Sequence, residues 1–215
     1  MGDAGPDLAA LGEVLRALLP SHALEAADVL KRGHIHDTIV ARCRDPRGGS
    51  QRYVVQRINA GVFADPEVLA RNLACVCDHL YTALRARGVA DPERRALRPV
   101  RAPTGRSLHR TADGGWWRAF PFIEGTHAVD TPGSPDQAAR AAQAFGAFVA
   151  DLADLDPARL AETIPRFHDL AARRIALANA ARADVAGRAR EVAAEIDAAS
   201  RAADRLLGAP ELAPG

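Results

Sequence analysis

Apolar residues at Leu8, Leu11, Leu15, Leu18 and Leu19 follow the spacing of one helical face and predict an amphipathic helix over 7–19, ended by Pro20. The period then shortens. Val29-Leu30 and Ile39-Val40-Ala41 flank a polar, glycine-bearing bend, Gly33-His34-Ile35-His36-Asp37-Thr38, and so predict two strands joined as a hairpin. Asp45-Pro46-Arg47-Gly48-Gly49-Ser50 is a dense turn cluster, and Tyr53-Val54-Val55-Gln56-Arg57-Ile58 after it reads as a third strand.

Asp65-Pro66 has the form of an N-cap followed by a first-turn proline, and Gly88 suits the position just past a helix end. A helix is predicted between them, with Leu69, Leu73, Val76, Leu80 and Leu84 as its buried stripe. Residues 98–101, turns at Pro103-Thr104-Gly105 and Asp113-Gly114-Gly115, and the run at 107–110 then predict a meander that ends in a strand from Trp116. The first part therefore reads β-β-β-α-β-β, a small antiparallel sheet crossed by one helix.

Beyond Asp130 the pattern is helical. Thr131-Pro132-Gly133-Ser134-Pro135 marks an edge, and the helix after it carries Ala142, Phe145, Phe148 and Val149 on one side. Short helices restart at Asp156-Pro157 and Ile164-Pro165. A long helical pattern over 169–207, with a break expected at Gly187, places Val185, Val192, Ile196, Ala199, Ala203 and Leu206 at helical spacing. The chain divides in expectation into an N-terminal helix (1–25), a sheet lobe (26–125) and a helical part (126–215). The fold class expected is α+β.

Composition narrows the picture in a few places. Basic and acidic residues number 28 and 27, so no global charge points to nucleic acid or an anionic membrane. Nine arginines between Arg85 and Arg118 face Asp91, Glu93 and Asp113, a local excess that suits either a solvated face or the steering of anions. Cys43, Cys75 and Cys77 do not complete a tetrahedral metal site and read as reduced thiols. With no signal peptide and no apolar run of spanning length, the expectation is a cytoplasmic protein.

Two stretches carry candidate chemistry. The bend at 33–38 offers backbone N–H groups and small polar side chains suited to anionic oxygens. On the third strand, alternation puts Tyr53, Val55 and Arg57 on one face and Val54, Gln56 and Ile58 on the other. Arg57 is the candidate cation of that run. On the crossing helix, Glu67 lies opposite the apolar stripe, with Arg71 as its expected partner, and Asn72 lies at the border of the stripe.

Gly33-His34-Ile35-His36-Asp37-Thr38, Tyr53–Asn59 with Val62-Phe63 and Asp65-Pro66-Glu67, Trp117-Arg118 with Pro121-Phe122-Ile123-Glu124-Gly125-Thr126, and Glu162-Thr163-Ile164-Pro165 with Phe167-His168-Asp169 together resemble the N-acetylhexosamine 1-kinase group of the aminoglycoside phosphotransferase and choline kinase superfamily. The resemblance runs from about Lys31 to Arg190, with the motifs in the same order. It implies a bilobal, protein-kinase-like fold that binds ATP with magnesium and phosphorylates a small molecule, an amino sugar or related alcohol. It further implies that ATP lies under Gly33, His34, His36, Asp37 and Thr38, with Arg57 at its phosphates and Phe122 and Ile123 at its adenine.

His36 stands where that family usually has asparagine, and Arg166 where it usually has an acid. The family's catalytic loop, with its aspartate and nearby asparagine, and the acidic magnesium motif after it have no counterpart here. His168-Asp169 is followed by helix, with the next asparagine only at Asn179, so Asp169 is read as a helix cap. The expectation is a nucleotide-binding lobe plus an incomplete helical lobe, truncated before the catalytic loop and inactive alone. It has no catalytic residue and no magnesium ligand of its own, and it exposes an apolar helical face prone to self-association. The alternative is a degenerate nucleotide-binding or regulatory module without catalysis.

Overall fold

A computed structural model describes residues 8–30 and 35–209, which form two compact units, Met1–Thr163 and Ile164–Gly215. The divisions expected at 25/26 and 125/126 both fall inside the first unit.

The first unit is α+β. Its elements run α1 (Leu8–Leu18), β1 (Ala23–Val29), β2 (Asp37–Arg44), β3 (Ser50–Arg57), α2 (Pro66–Ala86), the single turn α3 (Pro92–Arg95), β4 (His109–Arg110), β5 (Trp116–Pro121) and α4 (Pro135–Asp151). The five strands make one antiparallel sheet in the order β1-β2-β3-β5-β4. The β5 strand is thereby inserted beside β3, although α2 separates the two in sequence.

One face of the sheet is closed by α1. Leu11, Val14, Leu15 and Leu18 are buried against Ile39, Ala41 and Cys43 of β2, Tyr53 and Val55 of β3, and Trp117 and Ala119 of β5. Alternation puts these strand residues on a common side, so the helix covers the Val55 face and leaves the Gln56 face to the rest of the unit.

Local chemistry accounts for the joints. The Asp45 carboxylate accepts from the N–H groups of Arg47 and Gly49, at 2.7 and 3.0 Å, and Gly48 takes φ +86°, closing the β2–β3 turn. Asp65 caps α2 by accepting from Glu67 N–H and Val68 N–H, both at 3.0 Å. At the other end Gly88 adopts φ +67°, with Val89 N–H donating to Leu84 O and Gly88 N–H to Arg85 O, a Schellman ending.

Residues 98–101, expected as a strand, stay irregular. Val100 N–H donates to Ala119 O at 2.8 Å, but Pro99 has no N–H to extend a ladder. The polar side of α2 holds the end of α4 and the segment after it: Arg87 pairs with Asp151, and the Asn72 amide both donates to Ala161 O (2.6 Å) and accepts from Ala161 N–H (3.1 Å). The apolar side of α4 is left open, with Phe145 73% and Val149 66% exposed.

In the second unit Asp169 caps α5 (Leu170–Ala183), accepting from Ala172 N–H at 2.8 Å. The pattern read as one long helix is two. At Asp184 the backbone turns left-handed (φ +40°), its carboxylate accepts from Ala189 N–H, and Gly187 follows at φ +66°, so the chain reverses before α6 (Ala193–Leu207). Val185, expected in the stripe, is in this connection and 96% exposed. Arg174 near the start of α5 pairs with Asp204 near the end of α6, so the helices run antiparallel. No described helix is long and apolar enough to cross a membrane.

Candidate functional site

The residues singled out from the sequence fall in three places. Gly33 and His34 lie outside the described residues. His36, Asp37 and Thr38 lead into β2. Phe122 and Ile123 follow β5 directly, and Arg57 ends β3.

Arg57 is on the α1 side of the sheet. It sits opposite Asp37 on β2 and opposite Trp117 on β5, and its Nη2 lies 2.8 Å from Asp113 Oδ2 in the β4–β5 turn. Asp113 in turn accepts from Thr111 Oγ1 and Gly115 N–H, and these bonds, with the Arg57 charge behind them, hold its carboxyl below the usual range. A cleft of about 420 Å³ opens here, lined among others by Asp37, Arg57, Asn59, Asp113 and Trp116. Two carboxylates share it with one guanidinium.

The opposite face carries a different row. Thr38, Gln56 and Arg118 are consecutive cross-strand neighbours on β2, β3 and β5. Gln56 Nε2 donates to Thr38 Oγ1 at 3.2 Å, and Arg118 Nε donates to Gln56 Oε1 at 3.1 Å. Arg118 is half-buried over the Phe120 ring, 5.3 Å from its centroid, within electrostatic reach of Cys77 on α2. Burial pulls its pKa below the ordinary arginine value, and among the described residues no carboxylate pairs with it.

His36 belongs to this second face. Its Nδ1 accepts from Asn59 N–H at 3.2 Å and its ring packs against Phe63, with centroids 5.5 Å apart. Burial first, and the nearby Arg118 charge second, lower its pKa, with Asp37 opposing. The Arg118 charge thus reaches His36.

The connector after β5 is pinned. Phe122 N–H donates to Arg52 O at 2.9 Å, the Arg52 guanidinium lies 3.9 Å from the Phe122 ring centroid, and Arg52 also pairs with Glu124. Arg94 donates to Glu124 O, and Thr126 Oγ1 to Ile123 O at 2.7 Å. Gly125 turns the chain at φ +71°.

Four of the nine arginines in the rich stretch pair with carboxylates. Arg98 and Arg101 share Asp78, Arg106 pairs with Glu67, and Arg87 with Asp151. Glu67 is exposed as expected, but its partner is Arg106 and not Arg71, because the loop at 101–108 folds back along α2. Asn72 is committed to Ala161. Cys43 and Cys77 are buried thiols whose pKa is raised by that burial, and Cys75 is free as well.

No family model matches the chain.

Gln56 and Arg118 are the pair that sequence reasoning passed over in favour of Arg57. Alternation already put Gln56 opposite to Arg57, but choosing between the faces depends on knowing which one α1 covers.

Proposed function

We propose that this chain is the nucleotide-binding lobe, with the first helices of a second lobe, of an ATP-dependent small-molecule phosphotransferase of the N-acetylhexosamine 1-kinase type. The observation that carries the reading is the route of β5. The strand lies next to β3 inside the sheet, α2 crosses between them in sequence, and the pinned connector Phe122–Thr126 leaves from that inner position towards a helical segment. A kinase-like lobe presents its adenine contacts on such a connector and its phosphate contacts beneath the first hairpin, here at His36 and Thr38.

The residues present suit a nucleotide in one respect: a half-buried guanidinium without a carboxylate favours an anionic group beside it. They do not suit a magnesium site, since no group of three or more His, Cys, Asp or Glu side chains among the described residues is placed to hold a metal ion. Magnesium in this reading arrives with the ATP phosphates, and the chain binds nucleotide without completing phosphoryl transfer.

The test is a titration of the 215-residue chain with Mg-ATP and separately with adenosine, followed by thermal shift and calorimetry. Saturable binding of both is expected, with no phosphorylation of N-acetylglucosamine or N-acetylgalactosamine. Absence of binding by either ligand removes the nucleotide reading; turnover of either sugar removes the claim of inactivity.

A further inference from the structure

We infer that Arg118, and not Arg57, is the anion-binding residue of this lobe, that phosphoryl oxygens are its ligand class, and that Gln56 is the residue that positions it. The inference rests on the nucleotide reading for what carries the phosphates, and on the geometry alone for where they bind.

Removing a guanidinium from water without a counter-charge is costly, and proteins normally offset that cost with a carboxylate. Arg52, Arg57, Arg87, Arg98, Arg101 and Arg106 all follow that rule. Among the described residues Arg118 has no such partner, although burial weighs on it more than on the surface pairs. Among the described residues a neutral amide and the Phe120 ring are what meet it.

That amide is itself oriented. Gln56 donates from Nε2 to Thr38 Oγ1 and accepts at Oε1 from Arg118 Nε, and because a guanidinium only donates, reversing the amide would set two donors against each other. The Arg118 side chain is held through Nε and against the Phe120 ring. Among the described residues no hydrogen bond or ion pair engages its terminal Nη groups, and a guanidinium edge matches two oxygens of a phosphoryl group.

Arg57 lacks these features. It already donates to Asp113, and Asp37 faces it across β2, so a phosphate placed there meets two carboxylates. Like charges at that range repel it. Among the described residues, two titratable groups on the Arg118 side feel its charge: His36, whose pKa is lowered from an ordinary value already below neutrality, and the Cys77 thiol, whose pKa is raised by burial. Neither competes for the guanidinium.

Inorganic tripolyphosphate and adenosine are titrated separately by calorimetry at pH 7.5 into the full chain and into Arg118→Met, Arg57→Met and Gln56→Glu, each checked for folding by circular dichroism. Arg118→Met is expected to weaken tripolyphosphate binding by about 10- to 100-fold, the loss of two charge-assisted bonds. Gln56→Glu keeps the shape but gives Arg118 a carboxylate; it is expected to weaken tripolyphosphate similarly while raising the melting temperature, which mere loss of structure does not do. Arg118→Lys restores part of the affinity. The inference is overturned if the unaltered chain does not bind tripolyphosphate, if Arg57→Met produces the larger loss, or if Gln56→Glu leaves binding unchanged. Adenosine separates the two ideas. Tripolyphosphate binding without adenosine binding keeps the Arg118 site and sinks the nucleotide reading, and adenosine binding without tripolyphosphate does the reverse.

Discussion

Arg118 and Gln56 face each other across β5 and β3 with Nε 3.1 Å from Oε1, and among the described residues the guanidinium has no acidic partner. The contact brings together residues 62 apart in sequence. It sets a cost within the folded state, because a half-buried charge is left there without a counter-charge.

Removing that cost stabilises the free chain. Arg118→Met keeps an unbranched side chain over Phe120 and eliminates the unpaired charge, so its melting temperature without ligand should rise by about 2–4 °C, corresponding to about 1 kcal/mol in a chain of this size. Differential scanning calorimetry in ligand-free buffer measures it. A fall in melting temperature means that the guanidinium is already well solvated or paired, and the cost assigned to it is then wrong.

His36 makes stability depend on pH in a defined direction. Its folded pKa lies below the ordinary 6.5, so as pH falls from neutrality the unfolded chain takes up the proton first. Its contribution to stability is complete above about pH 6.5 and is lost as pH falls through the folded pKa. His36→Asn retains a side-chain acceptor for Asn59 N–H and does not titrate. Urea unfolding between pH 7.5 and 5.5 should show a smaller loss of stability in this variant, and identical pH slopes in the two proteins would exclude the effect.

The apolar side of α4 predicts association. Phe145 is 73% and Val149 66% exposed, with Phe148 beside them at 44%. Phe145→Ser with Val149→Ser should lower hydrophobic-dye fluorescence and light scattering at high protein concentration. Thermal stability should change by no more than about 0.5 kcal/mol per site, since little buried area is lost. Unchanged scattering would mean that this face does not drive association.

The first unit was legible wherever the relevant physics acts over a few residues. The leucine spacing of α1 follows from burial of one helix face, the Asp45–Gly49 turn, the Asp65 cap and the Gly88 ending follow from side chains bonding to, or freeing, adjacent backbone, and the structure contains each one. The same local logic identified Asp169 as a helix cap. It failed at 184–192, where helical spacing continued through a segment whose Asp184 and Gly187 reverse the chain. Periodicity reports what a helix would bury and is silent on whether one forms.

The candidate site was legible only by halves. Alternation along β3 separates Gln56 from Arg57 in any strand, because successive side chains point to opposite sides. Deciding which of the two faces a partner cation required the docking of α1 on the Val55 side, the pairing of Arg57 with Asp113 56 residues away, and the insertion of β5 beside β3. Those contacts link residues whose separation in the chain leaves no local signature. The sequence by itself determined the strands, caps and turns, whereas the tertiary structure alone decided that Arg57 is neutralised and that Arg118 is left with a charge to satisfy.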